Sequence, residues 1–423
     1  MKQKSKFKQT EIGMIPEDWE VKELKEIASY ITEKIELGKI NIKKFISTEN
    51  MLPDKGGVTL ASSLPKIGKV TKFEEGDILF SNIRTYFKKL WLAKFSGGCS
   101  NDVLVIRHKT KVINEYLYYF LSQDKFFEFT VLTSKGTKMP RGDKNSIMSY
   151  EITLPSLSKQ SAIAKILSDL DSKIELNQQM NKTLETIGQA IFKRWFVDFE
   201  FSNEKGKPYK SSGGEMVESE FGEIPKGWKV SKLEDYGTFK NGINYLRGET
   251  GDTDFFIANV RDIANNKLLL KNSLDNISLN MKKAQDYLLK DKDILIARSA
   301  SPGEVSLVLG NLDKVIYSGF SIRYRLNNPN NYLYIFLIMQ RLKENLSNFA
   351  VGTTLQSVNQ GTLKNMKFIL PENIVLEKFN RVIEKILERT YGNLIQNSNL
   401  SQIRDSLLPR LMSGKIRVPV GVN

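Results

Sequence analysis

No proline interrupts Ser158–Phe196, and its one glycine is Gly188. Ile163, Leu167, Leu170, Ile174, Leu184, Ile187 and Ile191 recur there in steps of three and four, broken only around Asn177–Met180. That spacing gathers an apolar stripe on one face of a long helix. At a rise of about 1.5 Å per residue the helix spans roughly 60 Å. A stripe this sustained, with Lys, Asp, Glu and Gln between its members, asks for a partner helix. The same chain encodes one. Six stripe positions have apolar counterparts 216 residues on: Phe379, Ile383, Ile386, Leu400, Ile403 and Leu407. The polar interruption is copied as well, Asn177 as Asn393. A second helix over about 374–413 is therefore predicted, and an internal repeat governs the fold.

Other landmarks repeat. EIGMIPEDWEVKELKEIA after Thr10 returns as EFGEIPKGWKVSKLEDYG after Ser219. Trp19 and Trp228 in these motifs are read as anchors of a domain entrance. Asp77-Ile78-Leu79 matches Asp293-Ile294-Leu295, Tyr116-Leu117-Tyr118 matches Tyr332-Leu333-Tyr334, and Leu154-Pro155 matches Leu370-Pro371 just before each long helix. Between landmarks, apolar residues alternate with polar ones and Gly breaks the runs, which predicts short strands. The residues between landmarks differ, so two modules share a scaffold and present different surfaces. The domains are read as 1–157, a helix over 158–197, a linker over 198–218, a second module over 219–373, a helix over 374–413 and a tail over 414–423. Residues 1–9 read as a mobile basic arm, and 198–218 as a linker because it is rich in Gly, Ser and Lys.

If the helices pair, the compact arrangement is antiparallel with one module at each end. The fold class is then α+β, two pseudo-symmetric α/β modules separated by an antiparallel two-helix coiled coil. Equivalent residues meet where the pseudo-twofold axis crosses, so Asn177 and Asn393 are expected to face each other. Buried Asn at a seam fixes register. Dyadic readers of DNA touch half-sites ~34–36 Å apart, a spacing that such a coil can set.

The chain carries 63 Lys and Arg against 48 Asp and Glu, a net charge of +15. That excess points to a polyanionic partner, nucleic acid first. Cys99 is the one cysteine and His108 the one histidine. No internal disulfide can form, a reducing cytoplasmic compartment is natural, and a His/Cys zinc site is excluded. Both residues read as structural. No P-loop occurs, and no apolar run approaches the ~20 residues of a membrane span. Asn328-Pro329-Asn330-Asn331-Tyr332 resembles the Asn-Pro-Pro-Tyr loop of amino-methyltransferases but lacks its second Pro and an upstream Gly-rich loop, so it reads as a turn before a helix. The chain is expected to bind and to catalyse nothing alone.

Polar, basic loops remain, suited to base edges and phosphates. In the first half these are Ser81, Asn82, Arg84, Thr85, Lys88, Lys89, Lys135, Thr137, Lys138 and Arg141. In the second half they are Asn259, Arg261, Arg298, Ser299, Thr353, Thr354 and Gln356.

GMIPEDW with GEIPKGW, FISTENM, GDILFSNIR, TSKGTKMPRGDK, LPSLSKQ and FKRWFVDF occur in this order. With them the chain resembles, over essentially its whole length, the DNA-specificity (S) subunit of type I restriction–modification enzymes. The resemblance implies two target-recognition domains, each reading one half of a split, asymmetric double-stranded DNA site, with the long helices as spacer and docking surface. It implies modification (methyltransferase) subunits as partners, two of them, and restriction/translocase subunits. S-adenosylmethionine, ATP and magnesium would sit on those partners, none on this chain. The second half departs from the pattern, with IARSASPG in place of SNIR and Leu408-Pro409-Arg410-Leu411 in place of KRWF. A stand-alone architectural or repressor-like DNA binder is the alternative reading.

Overall fold

The computed structural model describes residues 6–66, 68–246, 248–310, 312–341 and 357–419. The chain forms two compact units, Met1–Glu175 with Asn399–Asn423, and Leu176–Ser398. Each long helix therefore contributes to both units: Leu157–Phe196 divides after Glu175, and Asn373–Met412 after Ser398.

In the first unit a four-stranded antiparallel sheet runs in the order Ala28–Tyr30, Val103–His108, Ile78–Ser81, Leu90–Leu92. Successive side chains of a strand point to opposite faces. Ile78, Phe80, Leu104 and Ile106 accordingly enter a core built with Tyr116, Phe126, Ile163 and Leu167. Leu79, Val103 and Val105 enter another with Phe73, Trp91 and Cys99. Both faces are buried, so residues 78–80 and 103–106 are unbroken apolar runs and not the apolar–polar alternation expected of them.

The second unit repeats the scheme. Its sheet runs Gly237–Asn241, Ser321–Leu326, Ile294–Ala297, Val305–Leu307. Ile294, Ile296, Ile322 and Tyr324 face a core shared with both long helices, and Leu295 and Ala297 face another.

The repeated Asp-Ile-Leu starts the central strand of each unit. The buried Asp77 carboxylate accepts hydrogen bonds from Arg107 Nε and Nη2 at 2.7 and 2.8 Å and from the Glu74 amide at 2.7 Å. Asp293 accepts from Arg325 Nε and Nη2, both at 2.6 Å, and from the Lys290 amide at 2.7 Å. The Trp motif likewise has a structural purpose. Trp19 and Trp228 are buried, and the strand after each pairs with the strand before a long helix: Glu20–Glu23 with Glu151–Leu154, Lys229–Lys232 with Lys367–Leu370.

Two expectations about chain segments need correction. Residues 7–9 belong to a hairpin, Phe7–Thr10 against Gly13–Pro16. The 198–218 stretch is packed rather than a loose linker. Phe199 and Phe201 are buried with Trp228, and Phe201 stacks between Tyr209 and Trp228 at ring distances of 4.6 and 5.1 Å. Three aromatic rings outweigh the Gly, Ser and Lys around them, because each buries a large apolar area. Beyond the second helix the described tail forms no strand; Arg417 pairs with Asp18 at 3.1 Å.

The helices pair antiparallel within each unit. In the first, Ile163 and Leu167 are buried and Leu170, Leu400 and Leu407 half-buried. There Asp171 accepts from Arg404 Nη1 at 2.6 Å and from the Tyr119 hydroxyl at 2.7 Å. In the second, Phe379 and Ile383 are buried, with Leu184, Ile191 and Ile386 half-buried. Asn177 and Asn393 are both buried on the seam but do not bond each other. Asn177 Nδ2 donates to Gln396 Oε1 and Asn397 Oδ1, both at 2.8 Å, and Asn393 Nδ2 donates to Asn181 Oδ1 at 2.8 Å. Asn397 lies 216 residues after Asn181, so each asparagine meets the counterpart of its neighbour one turn on.

Ile187 and Ile403 do not pair helices: they are 43% and 47% exposed. From Leu184 and Leu400 the seam steps four residues, to Gly188 and Arg404, instead of three. A stripe traced through large apolar residues misses a glycine and an arginine.

Candidate nucleic-acid interface

In the first unit the loops predicted to contact DNA start where the strand Ile78–Ser81 ends. The Asn82 amide donates to the Asp102 carbonyl at 2.8 Å, the Gly142 amide to the Asn82 carbonyl at 3.2 Å, and the Arg84 amide to the Pro140 carbonyl at 2.8 Å. These bonds bring the 81–89, 100–102 and 135–142 segments together. The turn Thr85–Phe87 lies between Arg84 and Lys88, both left-handed at φ 49° and 52°. Asp54 and Lys55, also left-handed at φ 52° and 61°, donate their amides to the Phe87 and Lys88 carbonyls at 2.9 Å. Such non-glycine conformations cost on the order of 1–3 kcal/mol each, persist only where the surroundings enforce them, and cluster at functional sites.

The second unit builds the same edge. The Arg298 amide donates to the Phe320 carbonyl at 2.9 Å, and the Val358 amide to the Arg298 carbonyl at 2.9 Å. Asn82 and Arg298 thus occupy one backbone position, Asp102 and Phe320 a second, and Gly142 and Val358 a third. The turn that follows holds Ala300 at φ 59°. The Ser318 amide donates to the Ala258 carbonyl at 3.0 Å, bringing Asn259 beside this edge.

The predicted contact residues divide by what already holds them. Ser81, Asn82 and Thr85 are buried and shape the turn; the Asn82 Oδ1 is enclosed without a hydrogen-bond partner. Lys88 pairs with Asp124 at 2.7 Å, Lys135 with Asp143 at 2.5 Å and Arg141 with Asp102 at 3.0 Å. Lys89 donates to the Thr48 carbonyl at 2.6 Å. Asn259 caps the helix Val260–Asn265, and Arg261 pairs with Asp275 at 2.5 Å. Arg84, Lys138 and Arg298 have no acidic partner among the described residues, and Thr137 and Lys138 are exposed. Ser299 is half-buried in the turn. Thr353, Thr354 and Gln356 lie outside the described residues.

Sequence reasoning missed the apolar part of both edges. Tyr86 is 49% exposed and Phe320 68%. Tyr245 and Leu246 are exposed on the loop beside Gly319, whose amide donates to the Ile243 carbonyl at 2.8 Å.

Among the described residues no group of His, Cys, Asp and Glu could hold a metal, and no helix is long and apolar enough to cross a membrane. Cys99 is enclosed, and burial pushes its thiol up to about 12. Because the thiolate is the nucleophile, native chain at pH 8 should resist iodoacetamide while urea-unfolded chain is alkylated at one site. Rapid labelling of native chain, read by mass spectrometry, would contradict this burial.

A family model described as the type I restriction modification DNA specificity domain matches this chain twice, over residues 16–186 and 225–404. Among relatives, the type I restriction enzyme MjaIX specificity subunit of Methanocaldococcus jannaschii is 28% identical over 98% of this chain and 97% of its own length. The HindI specificity subunit of Haemophilus influenzae is 25% identical over 94% of this chain and 100% of its own. A crystal structure of the type I restriction–modification S subunit from M. genitalium matches with a TM-score of 0.57 at 14% identity, covering 93% of this chain and 96% of that one.

Proposed function

The chain belongs to the type I restriction modification DNA specificity family, and from that premise we propose that each of its two modules reads one half of a bipartite, asymmetric DNA site. The carrying observation is the doubled edge: one backbone hydrogen-bond frame, built twice, with Asn82, Asp102 and Gly142 in one module and Arg298, Phe320 and Val358 in the other. A constant frame with unlike side chains suits two readers of unlike sequences. Phosphate contacts would come from the basic loops, and base readout from the groups at the edge.

Chemistry is assigned to partners in the cytoplasm. Modification subunits, two per chain, would carry S-adenosylmethionine and methylate adenine; restriction subunits would add ATP- and magnesium-dependent translocation and cleavage. The long helices offer these partners matched apolar positions: Ile166 and Val382, and Ile187 and Ile403, are exposed at the 216-residue repeat.

Mapping methylated adenines genome-wide, in cells with and without this chain, tests the proposal. A bipartite motif should appear only with the chain. Replacing residues of about 10–157 by another such module should then change one half of that motif. A change in both halves, or no chain-dependent motif, defeats the one-module-one-half reading.

A further inference from the structure

Each recognition edge carries an exposed aromatic ring next to an arginine without an acidic partner among the described residues. In the first module, Tyr86 stands on the turn between left-handed Arg84 and Lys88, 49% exposed. In the second, Phe320 is 68% exposed, and its carbonyl accepts the Arg298 amide at 2.9 Å. The two rings are not repeat equivalents: Phe320 takes the position of Asp102, and Tyr86 has no aromatic counterpart in the Ser299–Gly303 turn. The same juxtaposition arises from two different loops.

Neither ring is exposed through slack in the backbone. The Tyr86 turn is tied at both ends, by the Arg84 amide to Pro140 and by the Asp54 and Lys55 amides to Phe87 and Lys88. The Phe320 loop is tied by the Ser318 amide to Ala258, the Gly319 amide to Ile243 and the Ser321 amide to Ser318. A side chain at Gly319 would run into Asn244 Oδ1, 2.0 Å from the Cβ position. Tyr86 sits on a turn flanked by left-handed residues, which cluster at functional sites. Phe320 follows Gly319, whose bonded loop exposes Tyr245 and Leu246, apolar side chains gathered as at contact surfaces. The net charge of +15 and the adjacent arginines favour a polyanionic partner.

Phe320 has no hydrogen-bonding atom on its side chain, so it can read a base edge only through an apolar group. In the major groove the one apolar group on a base edge is the thymine C5-methyl. We propose that Tyr86 and Phe320 are the apolar base contacts of the two modules, each packing on a thymine methyl while Arg84 or Arg298 takes an adjacent guanine edge or phosphate. This rests on the reading that each module binds one half-site.

The test uses the full chain co-expressed with its modification subunits. The methylated motif of the unaltered complex comes first; if no motif depends on the chain, the reading of its function fails before the rings are tested. Binding is then measured on duplexes carrying that motif with single thymines replaced by uracil. The unaltered complex should lose at least roughly fourfold in affinity at one thymine of each half, the value of one buried methyl-sized group. Phe320→Ala should bind thymine and uracil duplexes alike in its half and respond normally in the other. Tyr86→Ala should show the converse. Neither change should alter the salt slope, because no counterion is released by an apolar contact; Arg298→Ala and Arg84→Ala reduce it by about one if they hold phosphate. Phe320→Leu, still apolar, should keep thymine preference. Uracil discrimination that survives both alanine variants overturns the proposal. So does loss of co-purifying modification subunits with DNA discrimination intact, which would make the rings a protein-docking surface.

Discussion

Asp293→Ala is expected to destabilise the second unit by about 3–5 kcal/mol, the cost of removing the buried member of an ion pair whose arginine is largely enclosed. Its carboxylate is 1% exposed and accepts three hydrogen bonds, two from Arg325 and one from the Lys290 amide. Without it, Arg325 keeps one bond, to the Leu288 carbonyl at 3.2 Å, and the Lys290 amide loses its acceptor. The repeat supplies a milder comparison. In Asp77→Ala the stranded Arg107 still has Glu74 at 3.0 Å, so the cost should fall nearer about 3 kcal/mol. Glu215→Ala, which breaks an exposed pair with Lys226, should cost less than about 1 kcal/mol. Urea midpoints of the three variants give the order directly. An Asp293→Ala loss below that of Glu215→Ala would mean that water, rather than Asp293, satisfies Arg325.

Those aspartates were legible as repeat landmarks; their partners were not. Asp77 and Asp293 are 216 residues apart, whereas Arg107 and Arg325 are 218 apart. A fixed offset loses register inside a module, and only strand pairing restores it. The same slip conceals that Asp102 and Phe320 share a backbone position. Strand positions were legible from Val, Ile and Phe in short runs broken by Gly. The expected alternation was not: residues 78–80 and 103–106 are apolar throughout because both faces of the sheet are covered. Conformations such as left-handed Arg84 and Lys88 leave no such trace, since ordinary residues adopt them only under tertiary constraint. Nor does a sequence tell a free cation from a paired one. Arg84 and Arg141 look alike as letters, yet Arg141 already has Asp102 at 3.0 Å. The linker reading failed because composition counted Gly, Ser and Lys while three rings decided the packing. Tyr86 and Phe320 leave no signal in the sequence either, since an aromatic residue beside a strand reads as core until the fold shows it exposed.

Phe379 and Ile187 carry the same sequence expectation, that of a helix-pairing residue, and should behave oppositely. Phe379 is fully buried, its ring edge-on to Phe196 at 4.7 Å and to Phe192 at 6.3 Å, with Trp195 at 5.9 Å. Phe379→Ala removes a large buried area and opens a cavity between rigid rings that cannot close around it. The expected cost is about 3–5 kcal/mol, to which lost edge-to-face contacts add up to about 1.5 kcal/mol. Ile187 is 43% exposed, one residue off the seam position that Gly188 fills. Ile187→Ala should change stability by no more than about 0.5 kcal/mol, as surface substitutions do, and helix propensity even favours the alanine slightly. Urea unfolding of the two variants, followed by the fluorescence of the chain's four tryptophans, Trp195 and Trp228 among them, separates the cases. Equal losses would put Ile187 back on the seam and shift the helix register by one residue; a Phe379→Ala loss under about 1 kcal/mol would mean that the aromatic cluster collapses around the gap.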